Sequence, residues 1–217
     1  MDQDLARLSQ RPYGQRQSSG GGPPLASVLV AIGSNLGDRS AYLAQAVTRM
    51  STFGHIVATS SFLESAPLGS AADQQFLNAA LVLKTRLSPI DLLDQILAIE
   101  RHLGRERGIR WGNRTIDCDI ILWLDAQGRP VTTATDRLVI PHPECLNRDF
   151  VLEPAAQVAG HWIHPVTGKS IAWEFATRFE VTSRAEHNVA KIRSQPALVR
   201  AVDGSRPSHT ASCKPFC

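Results

Sequence analysis

Apolar and polar residues fall into legible blocks between about residue 27 and residue 124. "SVLVAIGSN" predicts a strand ending at Gly33. "DRSAYLAQAVTRMSTF" follows with helical spacing of Tyr42, Leu43, Ala46, Val47 and Met50, and Asp38 is placed to cap its N-terminus. "HIVATSSFLES" and "QFLNAALVLKTRL" are β-rich runs separated by the turn-forming "APLGSAADQ", so they are expected to pair as a wide-looped hairpin. "SPIDLLDQILAIERHLG" carries helix signals at both ends: Ser88 as N-cap, Pro89 at the first helical position, Asp91 three residues after the cap, and Gly104 just past the end. "TIDCDIILWL" predicts one more strand. The order β-α-β-β-α-β predicts an α+β, ferredoxin-like core with two helices on one face of an antiparallel sheet.

Outside these blocks the pattern decays. Residues 1–26 are rich in Gln, Ser, Gly and Pro, and are expected to form a flexible extension. From 185 to 217 Ser, Pro and Gly interrupt a basic segment, which predicts a second tail. That leaves a single domain over 27–184, a reasonable size within 217 residues. Hydrophobic content of 43% and charged content of 20% argue against a disordered or fibrous chain. The net charge of +3 is too small to imply nucleic-acid binding, so the local clustering of arginines matters more. The four cysteines show no metal-type spacing and suggest free thiols in a reducing cytoplasm. No apolar run reaches the roughly 18 residues of a membrane helix, and the start lacks the core of a secretion signal. A cytoplasmic protein without membrane contact is expected.

The richest chemistry lies in "RERGIRWGNRTIDCDIILW". Alternate side chains of a strand share a face, so Asp117 and Asp119 point the same way. Two adjacent carboxylates suit Mg²⁺ completed by waters and phosphate oxygens, or they line an exposed polar strand face. Arg105, Arg107, Arg110 and Arg114 just before them favour a Mg²⁺-polyphosphate site, since guanidinium forks match phosphate oxygens. A solvated basic loop is the alternative, and Trp111 then simply anchors that loop. "GSNLGD" is weak as a phosphate cradle and equally a strand-to-helix turn. His142 sits in the turn "LVIPHP", with Arg137 and Arg148 nearby in sequence. Phe76 and Asn78 alternate on a strand, offering a flat apolar surface and an amide to a heterocycle, or else a core Phe and a structural Asn. Glu100 falls on the apolar stripe of its helix, either paired or at the helix edge.

Taken in order, "VAIGSNLGDR", "SSFLESAPLG", "FLNAALVL", "RWGNRTIDCDI", "LVIPHP" and "NRDFVLEP" resemble the 6-hydroxymethyl-7,8-dihydropterin pyrophosphokinases of the folate pathway, over about residues 28 to 175. The resemblance implies a ferredoxin-like fold and transfer of the diphosphate of ATP to the pterin hydroxymethyl group, releasing AMP. It implies two Mg²⁺ ions held by Asp117 and Asp119, with Arg105, Arg107 and Asp119 in the catalytic set. Arg110, Trp111, Arg114, Ile120, Arg137, His142 and Arg148 would serve ATP. Phe76 and Phe150 would sandwich the pterin, while Asn78 and groups near Ser65, Ala66 and Leu68 read its edge. The implied partners are ATP and the pterin alone, with a monomeric protein and no nucleic acid. A base-stacking RNA module and a nucleotide-binding protein without catalysis are the rivals. The first lacks the aromatic RNA-binding pattern, and the intact aspartates and arginines count against the second.

Overall fold

The computed structural model describes residues 23–67, 73–105 and 112–180. The expected elements form, with two additions. Strand β1 (Ala26–Ser34) leads into helix α1 (Arg39–Met50), whose N-cap Asp38 accepts the Ala41 N–H at 3.0 Å. The first β-rich run splits into β2 (Gly54–Thr59) and β3 (Leu63–Ser65), and both pair antiparallel with β4 (Phe76–Thr85). Helix α2 (Pro89–His102) begins at Ser88, whose hydroxyl accepts the Asp91 N–H at 3.2 Å. It ends where Gly104 turns with φ +80°, a conformation a side chain resists. Strand β5 (Asp117–Leu124) completes the sheet in the order β2-β4-β1-β5, all antiparallel, which is the ferredoxin-like arrangement.

The short strands β6 (Thr133–Ala134) and β7 (Val139–Ile140) form a separate ribbon, followed by helices α3 (Asp149–Ala159) and α4 (Ile171–Phe175). The two expected helices share one face of the sheet, and α3 and α4 add a layer on the other. Val28, Val30, Ile32, Leu81 and Leu83 join α1 and α2 in one core. Leu29, Ala31, Ala80 and Val82, on the opposite face, join α3 and α4 in a second. The continuous apolar runs of β1 and β4 follow from this, because a strand covered on both sides has no polar face to alternate with.

One irregularity matters for the site. The β1–β5 register shifts between Leu29 and Val30, leaving Ile121 as an extra residue on β5. Its carbonyl accepts the backbone N–H of His142 at 3.0 Å, which fixes the turn carrying that imidazole. Strand β1 begins with Ala26 paired to Thr85. Residues 1–22 and 181–217, which hold nearly all of both expected tails, lie outside the described residues.

Candidate active site

A cavity of about 380 Å³ opens over the ends of β1, β4 and β5, on the face that α3 covers farther along. Register explains its floor. Gly33 lies between Asn78 on one neighbour and Asp117 on the other, and Ala31 lies between Ala80 and Asp119. Small residues on the middle strand therefore leave a trough between two rows of functional side chains. A Cβ at Gly33 would stand 3.0 Å from Asn78 Oδ1, so even one methyl group presses on the wall.

The β5 wall is charged. Asp117 pairs with Arg105 Nη1 at 2.7 Å and Arg114 Nη1 at 2.5 Å. Asp119 Oδ2 stands 3.9 Å from His142 Nε2 and 4.0 Å from Arg148 Nη1, within ion-pair range but beyond hydrogen-bond length. Burial, and then the charge of Asp117, hold the Asp119 carboxyl above its ordinary pKa, against the pull of His142, Arg148 and Arg105. His142 Nδ1 accepts the Glu144 N–H at 3.2 Å, which orients the ring with Nε2 toward Asp119.

Glu100 resolves as a paired buried carboxylate. It is 3% exposed, accepts the Cys118 N–H at 2.8 Å and binds Arg105. Burial raises its pKa to about 7, although Arg105 and the Cys118 N–H oppose the shift. Cys118 is itself buried among carboxylates, which pushes its thiol well up and leaves it protonated.

The opposite wall is neutral. Asn78, buried on β4, donates from Nδ2 to Ser65 Oγ at 2.9 Å and to the Leu63 carbonyl at 3.3 Å. Phe76 and Phe150 are both half-buried at the cavity, the first on β4 and the second in the opening turn of α3. Ser65 and Ala66 close this end.

Of the expected site residues, the structure brings together Ser65, Ala66, Phe76, Asn78, Arg105, Arg114, Asp117, Asp119, His142, Arg148 and Phe150. Two are corrected. The Ile120 side chain points into the α1/α2 core, 4% exposed, because it sits on the face of β5 opposite the aspartates. Arg137 is largely exposed, pairs with Asp94 of α2 and does not line the cavity. Leu68, Arg107, Arg110 and Trp111 lie outside the described residues.

Sequence reasoning gave Asn35 no role. It is wholly buried, and its Oδ1 accepts the Arg114 N–H at 2.6 Å. Its Nδ2 donates to the Gln74 carbonyl at 3.2 Å and to Asn113 Oδ1 at 2.8 Å. The available signal was a polar residue held at the end of an otherwise apolar strand.

The donor chemistry suits Mg²⁺ when phosphate oxygens complete the shell: two hard carboxylates share one strand face at the cavity. Among the described residues no group of three or more His, Cys, Asp or Glu side chains is arranged to hold a metal by itself.

Residues 29–160 match the family described as 7,8-dihydro-6-hydroxymethylpterin-pyrophosphokinase (HPPK). A 2-amino-4-hydroxy-6-hydroxymethyldihydropteridine pyrophosphokinase of Haemophilus influenzae is 36% identical over 168 residues, covering 76% of this chain and 98% of that protein. Its counterpart in Bacillus subtilis is 42% identical over 131 residues, covering 59% of this chain and 75% of that protein. A solved structure of Plasmodium falciparum HPPK-DHPS with pterin and p-hydroxybenzoate superposes with a TM-score of 0.57 at 14% identity, over 76% of this chain. The chain spans 44% of that longer protein, and at this identity the likeness shows the fold.

Proposed function

The chain belongs to the 7,8-dihydro-6-hydroxymethylpterin-pyrophosphokinase family, and on that premise we propose how its cavity carries out the reaction. The family reaction transfers the diphosphate group of ATP to the hydroxymethyl group of 6-hydroxymethyl-7,8-dihydropterin in folate biosynthesis. The pterin oxygen bonds to the β-phosphorus, the bond from that phosphorus to the α,β-bridging oxygen breaks, AMP leaves, and the hydroxyl proton is lost. Little covalent help is needed, so positioning and charge neutralisation carry the catalysis.

One observation supports this reading above others: a charged wall and a neutral, aromatic-faced wall share a single cavity across a floor of small residues. Phe76 and Phe150 take the two faces of the pterin ring. Asn78 and Ser65, already hydrogen-bonded to each other, present amide and hydroxyl groups to its edge. Arg105, Arg114, His142 and Arg148 receive the phosphates, each already at the cavity near a carboxylate. Asp117 and Asp119 would hold Mg²⁺, which when bound would supply neutralisation of polyphosphate charge and Lewis acidity toward the phosphoryl oxygens. Arg105 and Arg114 then exchange a carboxylate partner for a phosphate, keeping their charge paired throughout. Glu100 holds Arg105 at the rim through this exchange.

The protein acts on the two small molecules. Among the described residues no helix is long and apolar enough to cross a membrane. The test is an assay with ATP, Mg²⁺ and the reduced pterin, resolving AMP from ADP. AMP in one-to-one ratio with pterin diphosphate is expected, and ADP as the main nucleotide product rejects the reading.

A further inference from the structure

The motif "GSNLGD" fits no phosphate cradle, yet its Asn35 is the most heavily engaged buried amide near the cavity. Three segments meet on it. Its backbone N–H donates to the Arg114 carbonyl at 3.1 Å while its Oδ1 accepts the Arg114 N–H at 2.6 Å, a two-point clamp on one residue. Its Nδ2 reaches the Gln74 carbonyl at 3.2 Å, two residues before Phe76, and Asn113 Oδ1 at 2.8 Å. Asn113 in turn donates from Nδ2 to Asp73 Oδ1 at 2.8 Å, closing a ring of hydrogen bonds. Only an amide can complete this ring, since it needs one acceptor and two donors on a short stem. Aspartate loses both donors, and serine falls short of these partners.

The two clamped segments carry the two walls. Residues 73–75 lead into Phe76, and residues 113–115 lead into Asp117. From this geometry we infer that Asn35 is a positioning residue that fixes the pterin-binding wall and the phosphate-binding wall relative to one another. The inference rests on the proposed reading of the cavity. Misalignment of two bound substrates lowers the rate of transfer more than it weakens either one, because a small displacement removes the reactive geometry. Asn35 thus acts on kcat through the spacing of the walls.

Amide hydrogen exchange of the substrate-free protein and steady-state kinetics test this together. In Asn35→Ala the Arg114 amide, and amides of residues 73–76, are expected to exchange at least tenfold faster, while the centres of β1 and β4 keep their protection. kcat is expected to fall tenfold or more, with each KM changed less than about threefold. Faster exchange in only one of the two segments overturns the inference, and so does an unchanged kcat per folded molecule with only a lower Tm. If that variant does not fold, Asn113→Ala decides, since Asn113 is exposed and its loss removes the bonds to Asn35 Nδ2 and Asp73 while leaving Asn35 bonded to the Arg114 backbone and the Gln74 carbonyl. It should lower kcat about threefold with the Arg114 amide still slow, and an unchanged kcat overturns the inference. Exchange is read without substrates, so a wild-type protein that makes no AMP rejects the proposed function while the clamp is judged separately.

Discussion

The two walls of the cavity are built by different means. The neutral wall is local to the sheet: Ser65 and Asn78 come from strands paired side by side and hydrogen-bond each other, and Phe76 begins the same strand as Asn78. The charged wall is assembled from far apart in the sequence. Asp117 and Asp119 lie on β5, Arg105 follows α2, Arg114 precedes the strand, His142 hangs from the bulge at Ile121, and Arg148 stands at the start of α3. The lesson is that strand register builds all of the neutral wall except Phe150 of α3, whereas the charged wall needs groups converging from several elements, which a single element cannot supply.

The sharpest way to break this contrast is to remove charge and keep shape. Asp117→Asn and Asp119→Asn are each expected to fold and to lose two to four orders of magnitude in kcat/KM, about 3 to 5 kcal/mol of transition-state stabilisation. The double variant should lose less than the product of the two, because both carboxylates serve one charged cluster. A single variant keeping more than about half of wild-type kcat/KM would make the pair an ordinary polar strand face.

Next in size is the pH dependence of stability that Glu100 contributes. Its folded pKa, about 7, lies above the ordinary 4.5, so the folded protein holds this proton where the unfolded chain releases it. Its contribution is fully present below pH 4.5 and is lost as pH rises through 7, by roughly 3 kcal/mol at most. Urea unfolding at pH 5 and pH 7.5 should show a smaller loss in Glu100→Gln than in the wild type. An equal or steeper loss in the variant would show that Glu100 is ionised across this range.

On the neutral wall, Phe150→Ala should weaken pterin binding by about 1 to 3 kcal/mol and change ATP affinity little, measured by calorimetry of each ligand. Equal weakening of both ligands would place Phe150 in the general packing of α3. The mildest change addresses the floor. Gly33→Ala puts a methyl group 3.0 Å from Asn78 Oδ1 and should cost about 1 kcal/mol in pterin affinity, as modest overpacking does. If ATP affinity falls and pterin affinity does not, the added methyl presses toward Asp117 instead.

Much of this was legible in the chain. Asp38 and Ser88 cap the helices that their positions announce, and the alternation Asp117, Cys118, Asp119 puts the carboxylates on one face and the thiol on the other. Local hydrogen bonding and strand periodicity act over a few residues, so they can be read without knowing the rest. The second helical layer was harder: α3 carries Pro154 within it and is apolar around much of its surface, which masks both its length and its face. The unbroken apolar runs of β1 and β4 were its trace, since each strand needed a partner on both sides.

Sequence alone therefore determined the order of the ferredoxin-like core elements, the caps, the sheet's α+β class and the residue types proposed to hold a pterin and a polyphosphate. Tertiary structure decided which of them meet. Ile120 and Asp119 are neighbours in the chain, yet one faces the α1/α2 core and the other the cavity, while Asn35, Gln74 and Arg114, far apart in the chain, share one amide. Convergence depends on register, on one bulge and on where a helix starts, and those are settled by long-range packing.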